Sequence, residues 1–397
     1  MGILTSAKRQ ARGMRLTTGG EVLKLLGVTV LATRCELGSR AGLWATRPRN
    51  KYLVAPVFGE RTGMPRSRFE SLWSCLTFSE QSECGGDSEK SRWQPVDDFV
   101  LNIKEHRSSR VCPSDQIRVE ESMCKWSGQG SHWILKGVPM YVATDRMRDN
   151  GCEFQNATCG RNGLMLQLST VTTAEHRQHT DTGIDEGLLH GTAVLKKLVA
   201  PWARSRRVVC AVSYFASVTA SQQLLGMGLC FIGVIETATR GFHMSSLSEI
   251  PLEARGQHVS YTHSIANGVP DLMAVVWVDR ERRYSIASTG STLAVTPYNR
   301  LRRRKRDVTA SRVARTVPQR VVAETYYGCC AHIDRHKRCH QDDLRLENKL
   351  VTHDWSMHVN LSLLGMCVVD AWLLYSGVRG GGSHLTQTKL YEDLAEQ

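Results

Sequence analysis

Hydrophobic residues recur at helical spacing through the first hundred residues of the chain. The segment Glu21–Thr33 is apolar nearly all round and predicts a buried helix. Two further segments place apolar residues at i, i+3, i+4 and i+7, which predicts one helix after Pro65 and a second before residue 106. These apolar positions are Phe69, Leu72, Trp73 and Leu76, then Val96, Phe99, Val100 and Ile103. We therefore predict a basic, disordered leader over residues 1–16 and a helical N-terminal region over residues 17–106.

Beyond Pro113 the pattern changes to short runs rich in apolar and β-branched residues. The runs, with the helical segments between them, follow the order strand, strand, strand, helix, strand, helix, strand. This order predicts an α/β fold, a ribonuclease-H-like core in which helices cover a mixed sheet. The predicted elements are Ile117–Met123, Val138–Thr144, Leu164–Val171, Gly187–Trp202, Arg207–Val212, Tyr214–Leu225 and Cys230–Ile235.

The rest of the chain predicts a core that is interrupted and then completed. Residues 107–235 form the first part of the core, and residues 236–322 read as an insertion. The insertion holds two strand-like runs, Met273–Val278 and Tyr284–Ala287. A long helical stretch follows from about Tyr326 to Leu374, so residues 323–379 are predicted to complete the core with helices. Residues 380–397 form a tail.

Composition adds a basic balance to this picture. The 397 residues include 51 Lys and Arg against 38 Asp and Glu, a net charge of +13. That excess favours a polyanionic partner, nucleic acid more than an anionic membrane surface. No apolar run reaches the roughly 18–20 residues that a membrane helix needs, and no secretory signal is present, so we predict no membrane partner. The start MGILTS matches a myristoylation pattern, and acylation of Gly2 stays open.

The cysteines argue for a reducing compartment rather than for a metal domain. All 13 are scattered without CxxC pairs, which is untypical of a disulfide framework. One group invites a zinc hypothesis, but its spacing fits no standard finger or knuckle, and free cysteines commonly serve as small buried hydrophobes. We therefore do not predict zinc at this group, which consists of Cys329, Cys330, His332, His336, Cys339 and His340.

Three segments point to a family. IRVEESMCKW lies on the first core strand, VVCAVSYFAS on the fourth, and HIDRHKRCHQDDLRLE in the C-terminal helical stretch. Together with fragments such as TTGGEVLKLLG and VWVDRERRYSIAST in collinear order, they resemble the transposase domain of piggyBac-type DNA transposons and proteins derived from them, over about residues 17–390. The resemblance implies a ribonuclease-H-like DDE/D transposase fold and DNA as partner. It also implies an N-terminal region of the dimerisation or DNA-binding type, which allows a homodimer. We expect no cysteine-rich end-reading domain in this chain.

The resemblance also implies where the active site lies. In this family, aspartates from three elements hold two Mg²⁺ ions. Carried over residue by residue, their positions are Glu120, Val212 and Asp334, and the position of a fourth aspartate is Lys337. Only Asp334 keeps the family residue, so we expect weak Mg²⁺ binding at most, with Glu120 and Asp334 as residual ligands. Simpler readings stay open: a surface carboxylate for Glu120, a core residue for Val212 and a helix cap for Asp334.

A basic cluster is the second candidate site. It is predicted to contact DNA phosphates or to act as a nuclear localisation signal, and the alternative is a solvated loop. The cluster consists of Arg300, Arg302, Arg303, Arg304, Lys305 and Arg306.

These features together predict a piggyBac transposable element-derived protein with impaired catalysis and nonspecific DNA binding, located in the nucleus or otherwise in the cytoplasm. Two alternatives stay open. One is an active transposase that recruits another carboxylate, with Asp145, Asp181 and Asp185 as candidates. The other is a chain without function, or a co-opted interaction scaffold.

Overall fold

The computed structural model describes most of the chain. The described residues are 15–35, 40–48, 54–79, 89–125, 151–171, 187–236, 239–264, 270–279, 281–288, 295–302, 313–350, 352, 354–378 and 386–396. Several predicted features lie outside them: residues 1–14 of the leader, the strand Val138–Thr144, four members of the basic cluster from Arg303 to Arg306, and the three substitute carboxylates Asp145, Asp181 and Asp185.

The fold is organised around a mixed sheet. The described strands are β1 (Gln116–Lys125), β2 (Gly151–Cys159), β3 (Met165–Thr170), β4 (Val208–Ala211), β5 (Cys230–Ile235), β6 (His258–Ser264), β7 (Pro270–Val278), β8 (Arg282–Ser288), β9 (Val295–Arg302) and β10 (Val313–Arg320). Eight of them form one sheet in the order β3-β2-β1-β4-β5-β8-β7-β6. Strand β4 pairs in parallel with β1 and with β5, and the other pairings in this sheet are antiparallel. Strands β9 and β10 pair antiparallel with each other.

Helices cover this sheet, and a helix is also the first and the last of the described elements. The described α-helices are α1 (Gly19–Ala32), α2 (Phe58–Thr62), α3 (Arg66–Trp73), α4 (Glu89–Arg110), α5 (His190–Val199), α6 (Val218–Gly226), α7 (Met244–Ser248), α8 (Val321–Lys337), α9 (Leu346–Lys349), α10 (Trp355–Val378) and α11 (Gln387–Glu396). A π-helical turn, Arg338–Leu344, follows α8 directly. The predicted α/β architecture with a mixed sheet is confirmed.

The two faces of the sheet bury different helices because side chains alternate along each strand. On one face, Val119 of β1 and Ala211 of β4 join the main hydrophobic core with residues of α5 and α6. On the other face, Cys210 of β4 packs in a second cluster with Val322 and Cys329 of α8. The central sheet therefore lies between two helical layers, and α8 crosses the face that carries the even-numbered residues of β1.

Several elements differ from the prediction. Strand β2 was not predicted, yet every residue from Gly151 to Cys159 is buried, and the strand lies between β1 and β3. The long helical stretch is interrupted after the π-helical turn, where Arg345 adopts a left-handed backbone conformation with φ of 48°. The strand-like runs of the predicted insertion form β7 and β8 and extend the central sheet. The domain boundaries themselves stay predictions.

Helix α10 carries a buried ionic group. Its Asp370 forms an ion pair with Arg107 of α4, lies 3.1 Å from His336 Nε2 of α8, and accepts a hydrogen bond of 3.1 Å from the backbone N–H of Met165. Burial alone would raise the pKa of Asp370, but Arg107 and His336 outweigh it and hold the pKa below its ordinary value. This network ties three helices and β3 together.

Helix α10 also corrects one sequence prediction. Among the described residues it contains a stretch, Trp355–Gly377, that is long and apolar enough to cross a membrane by length and composition. The prediction that no apolar run reaches that length was therefore wrong. About two thirds of the stretch (67%) is buried inside the protein, which is typical of a core helix.

Candidate active site

The candidate site lies where β1 and β4 run side by side. Val119 of β1 is paired with Ala211 of β4, and the backbone N–H of Val212 donates to the carbonyl of Val119 at 3.3 Å. Val212 is therefore the residue directly after β4, at the level of Glu120 on β1. Carboxyl ends of parallel strands are a common place for functional groups in open α/β sheets.

Glu120 is buried and surrounded by cations. Only 6% of the residue is exposed. Its Oε1 forms an ion pair with Lys337 of α8, and its Oε2 lies 3.5 Å from Nε of Arg118. Lys337 also donates to the backbone carbonyl of Glu121 at 3.1 Å. The reading of Glu120 as a surface carboxylate is therefore wrong, and both of its oxygens face a positive charge.

Arg118 is held in its charged form by this face of the sheet. Its guanidinium carbon lies 4.5 Å from the ring centre of Tyr326, and its Nη2 donates to the Tyr326 hydroxyl at 3.3 Å. Burial would lower the pKa of Arg118, but Tyr326, Cys330 and Glu120 together raise it above its ordinary value. The positive charge beside Glu120 is thus a fixed part of the site.

Val212 follows the last residue of β4 and starts a turn. It is half-buried and packs against the main hydrophobic core. Its carbonyl accepts a hydrogen bond of 3.0 Å from the N–H of Phe215, and Ser217 then caps α6 by accepting from the N–H of Ala220 at 3.0 Å. The predicted helix Tyr214–Leu225 consequently begins only at residue 218. An isopropyl group at this position offers no metal ligand.

Asp334 lies in the body of α8, three residues before the helix ends. It does not cap a helix, so that reading is wrong. The side chain is exposed, and within the described part of the chain its carboxylate forms no hydrogen bond or ion pair. Cys330, one turn earlier, is close enough for the charge of Asp334 to affect the pKa of its thiol. Burial, opposed by Arg118 and reinforced by Glu120 and Asp334, raises the pKa of Cys330 to about 11, so this thiol stays neutral.

The comparisons with known proteins agree with this architecture. A family model described as "Transposase IS4", which represents piggyBac-type transposases, matches residues 2–372. The chain belongs to the piggyBac-type transposase family.

A solved structure supports the same fold. The cryo-EM structure of a piggyBac transposase synaptic complex with hairpin DNA is similar with a TM-score of 0.70 and 15% identity, covering 100% of this chain and 76% of that chain. The predicted ribonuclease-H-like DDE fold is thereby confirmed. No curated protein is significantly similar to this chain in sequence.

Transposases of the DDE type generally use divalent metal ions, but the residues of this piggyBac-type chain fit such ions poorly. Glu120 already faces Lys337 and Arg118, Val212 supplies no oxygen, and Asp334 is the only unengaged carboxylate of the predicted set. Across the described residues, no group of three or more His, Cys, Asp or Glu side chains is placed to hold a metal ion.

The cluster considered for zinc is also dispersed. Cys329 contacts Cys210 at 3.7 Å, His336 contacts Asp370, and His340 donates from Nε2 to the carbonyl of Ser362 at 2.9 Å. Burial, with His336 nearby, lowers the pKa of His340 to about 3, so this imidazole is neutral. These side chains point to different partners and do not converge.

One carboxylate near the site was not identified from the sequence. Glu236 follows the last residue of β5, the third parallel strand, and its Oε2 accepts a hydrogen bond of 3.1 Å from the hydroxyl of Ser213. It thus lies beside the turn that begins at Val212. Its position directly after a buried strand was the available signal, but the sequence alone did not distinguish it from other loop carboxylates.

Two members of the basic cluster can be placed. Arg300 and Arg302 lie on β9, where their partners on β10 are Arg315 and Val313. Arginines therefore occupy facing positions on the two strands. The other four members lie outside the described residues.

Proposed function

We propose that this chain is a piggyBac-type transposase relative that binds DNA without catalysing strand transfer. Membership of the family supports an ancestral DNA-processing role. The observation that carries the loss of catalysis is the pairing of Glu120 with Lys337 and Arg118. Two-metal cleavage of DNA requires several carboxylate oxygens to converge on divalent cations, and here a lysine and an arginine stand where that charge is needed.

The electrostatics support the proposal, because they disfavour a divalent cation at this position. Two unit charges about 4 Å apart interact by about 4 kcal/mol at an effective dielectric of 20. A divalent ion beside Glu120 would be repelled by two fixed cations, while Val212 contributes no compensating ligand. In the proposed correspondence, Glu120, Val212, Asp334 and Lys337 occupy the four family carboxylate positions, and Asp334 alone keeps its aspartate.

Metal-dependent cleavage of DNA tests this proposal. The wild-type chain is expected to show no excision of a transposon from a donor plasmid with Mg²⁺ or Mn²⁺, whereas an active family transposase on its own transposon ends serves as positive control. Metal-dependent excision by the wild-type chain would show that it is an active enzyme. The matched variant Glu120→Asp, Val212→Asp, Lys337→Asp is expected to bind Mn²⁺ in calorimetry where the wild type does not.

DNA binding rests on charge and on fold. The chain carries a net charge of +13, and the similar solved structure is a complex with hairpin DNA. We assign the phosphate contacts to the basic cluster Arg300–Arg306. Lys and Arg contacts to phosphate release counterions, so affinity for duplex DNA is expected to fall steeply with salt.

A two-residue variant sharpens this assignment. Arg300→Gln with Arg302→Gln is expected to reduce the slope of log affinity against log salt by about 2, since each lost phosphate contact contributes roughly 0.9. The control is Arg66→Gln with Lys389→Gln, which removes the same charge from exposed bases already paired with carboxylates. Equal changes of the salt slope in the two variants would show that Arg300 and Arg302 make no specific contact with DNA phosphates.

The same cluster supports nuclear localisation, and the family supports a homodimer. Both are part of the proposal. A fluorescent fusion in which the six basic residues of the cluster are changed to glutamine is expected to leave the nucleus. Sedimentation of the purified chain is expected to give twice the mass of a 44.4 kDa protomer.

A further inference from the structure

The strongest feature that the proposed function leaves unexplained is why a partly exposed lysine, Lys337, is placed against the buried carboxylate of Glu120. A carboxylate taken out of water needs a compensating charge or several hydrogen bonds. Glu120 is 6% exposed and lies in the middle of the sheet. Its nearest cations are Arg118, two residues earlier on the same strand, and Lys337, which comes from a different element 217 residues away in the chain.

The geometry of Lys337 is that of a bridge between two elements. Its ammonium contacts two acceptors of β1, the carboxylate of Glu120 and the backbone carbonyl of Glu121. Arg118 contributes a weaker contact at 3.5 Å and is itself engaged by Tyr326. Lys337 therefore supplies most of the neutralising charge that Glu120 receives from outside its own strand.

Two other side-chain contacts also join β1 to α8 and the π-helical turn. Tyr326 at the start of α8 accepts from Arg118, and Gln341 in the π-helical turn donates to the carbonyl of Met123 at 2.9 Å. With Lys337 between them, three side chains attach α8 and the turn after it to β1. The central attachment is the charged one, whereas Asp334 on the same helix stays in solvent.

We infer that the ammonium of Lys337 takes the place of a divalent cation as the charge that neutralises Glu120 and holds helix α8 against strand β1. The inference rests on the proposed loss of catalysis at this site, but it concerns stability and not DNA. It predicts a chain whose folding does not depend on metal ions, in contrast to a site where carboxylates from several elements repel one another until a cation binds.

A thermodynamic cycle on DNA-free protein tests the inference. Lys337→Met is expected to lower the melting temperature by on the order of 5 °C, because it leaves a buried carboxylate with its weaker partner only. Glu120→Gln is expected to cause a similar loss. The double variant Glu120→Gln, Lys337→Met removes both charges and is expected to be clearly more stable than the sum of the two losses predicts. Additive losses, or no loss in Lys337→Met, would overturn the inference.

Metal dependence supplies the second arm. The melting temperature of the wild type is expected to be the same in EDTA and in millimolar Mn²⁺. The variant Val212→Asp, Lys337→Asp is expected to melt lower in EDTA and to regain stability with Mn²⁺, since carboxylates then replace the ammonium. A wild type stabilised by Mn²⁺ would contradict the bridge. The matched control Lys389→Met, which removes an exposed lysine paired with Glu392 and Asp393, is expected to shift melting by less than about 1 °C.

These results separate the inference from the proposed function. Excision activity in the wild type would overturn the proposed loss of catalysis whatever the melting curves show. Inactive protein with additive losses would leave the proposed function standing and remove the role of Lys337.

Discussion

Glu120 and Glu121 are consecutive residues of β1 in opposite electrostatic surroundings. Glu120 faces α8 and meets Lys337 and Arg118. Glu121 points to the opposite face, where Glu153 of β2 is its diagonal neighbour, because Glu121 is paired with Gln155 and Met123 with Glu153. Burial, reinforced by the charge of Glu121, raises the pKa of Glu153 to about 7. One face of the strand thus holds a neutralised carboxylate and the other a repelling pair.

The difference teaches that residue type alone does not define a site. Both glutamates belong to the segment IRVEESMCKW, and the elements packed against each face determine what the carboxylate does. On the α8 face the carboxylate is tied to cations and stabilises the fold. On the other face, ionisation of the pair costs stability. Three substitutions separate these roles.

The largest effect is expected for Glu120→Gln, which leaves the buried Arg118 and the partly exposed Lys337 without their carboxylate. Removing one partner of a buried ion pair typically costs about 3–5 kcal/mol, and partial exposure of Lys337, 30% at its side chain, favours the lower end. Urea unfolding at neutral pH measures the loss. The matched control is Glu121→Gln at the neighbouring position, which is expected to change stability by less than about 1 kcal/mol. Equal losses at the two positions would break the comparison.

The next effect concerns pH and Glu153. Its ordinary pKa is 4.5 and its folded value is about 7, so the folded state holds a proton that the unfolded state releases between those values. The contribution of Glu153 to stability is therefore full below pH 4.5 and is lost as pH rises to about 7. Glu153→Gln abolishes this loss, and relative to wild type it is expected to gain about 2–3 kcal/mol between pH 4.5 and pH 8.

Buried histidines require that this measurement be a difference between two proteins. The pKa of His340 is lowered to about 3, so its contribution has the opposite sign: stability falls as pH drops from 6.5 towards 3. Because His340 is present in both proteins, subtracting the wild-type curve from the Glu153→Gln curve removes its contribution. A difference curve that stays flat from pH 4.5 to pH 8 would contradict the raised pKa of Glu153.

Much of the fold was predictable because the local sequence pattern of many helices and strands indicates their type. Strand β5 was predicted with its observed bounds, Cys230–Ile235, since a short apolar run follows a glycine turn. Strand β2 was missed because its sequence, GCEFQNATC, looks polar. One of its buried polar groups has a partner that the sequence does not show: the side-chain amide nitrogen of Asn156 donates to the hydroxyl of Ser122.

The candidate site was less predictable, because its chemistry depends on distant residues. The positions of Glu120 on β1 and of Val212 directly after β4 follow from the order of elements, since these two strands are neighbours in the sheet. The contact between Glu120 and Lys337 joins residues more than two hundred positions apart, and only a family comparison suggested that they meet. Glu236 could not be distinguished at all, since its closeness to Ser213 depends on how two loops are placed at the sheet edge.

The smallest effect is expected for Glu121→Gln, and it tests the far face of the strand most directly. Burial is the larger cause of the raised pKa of Glu153 and the charge of Glu121 the second, so removing that charge should lower the pKa of Glu153 without returning it to 4.5. The loss of stability with rising pH is therefore expected to end a fraction of a pH unit lower, so that Glu121→Gln gains about 0.5–1 kcal/mol relative to wild type at pH 8. The ion pair on the other face should be unaffected, because Lys337 contacts the backbone carbonyl of Glu121 and not its side chain.

Glu121→Asp is the control that keeps the charge, and it should leave the midpoint of the pH-dependent loss of stability near the wild-type value. A midpoint that is the same in all three proteins would mean that Glu121 and Glu153 do not interact, and the contrast between the two faces would then reduce to burial alone.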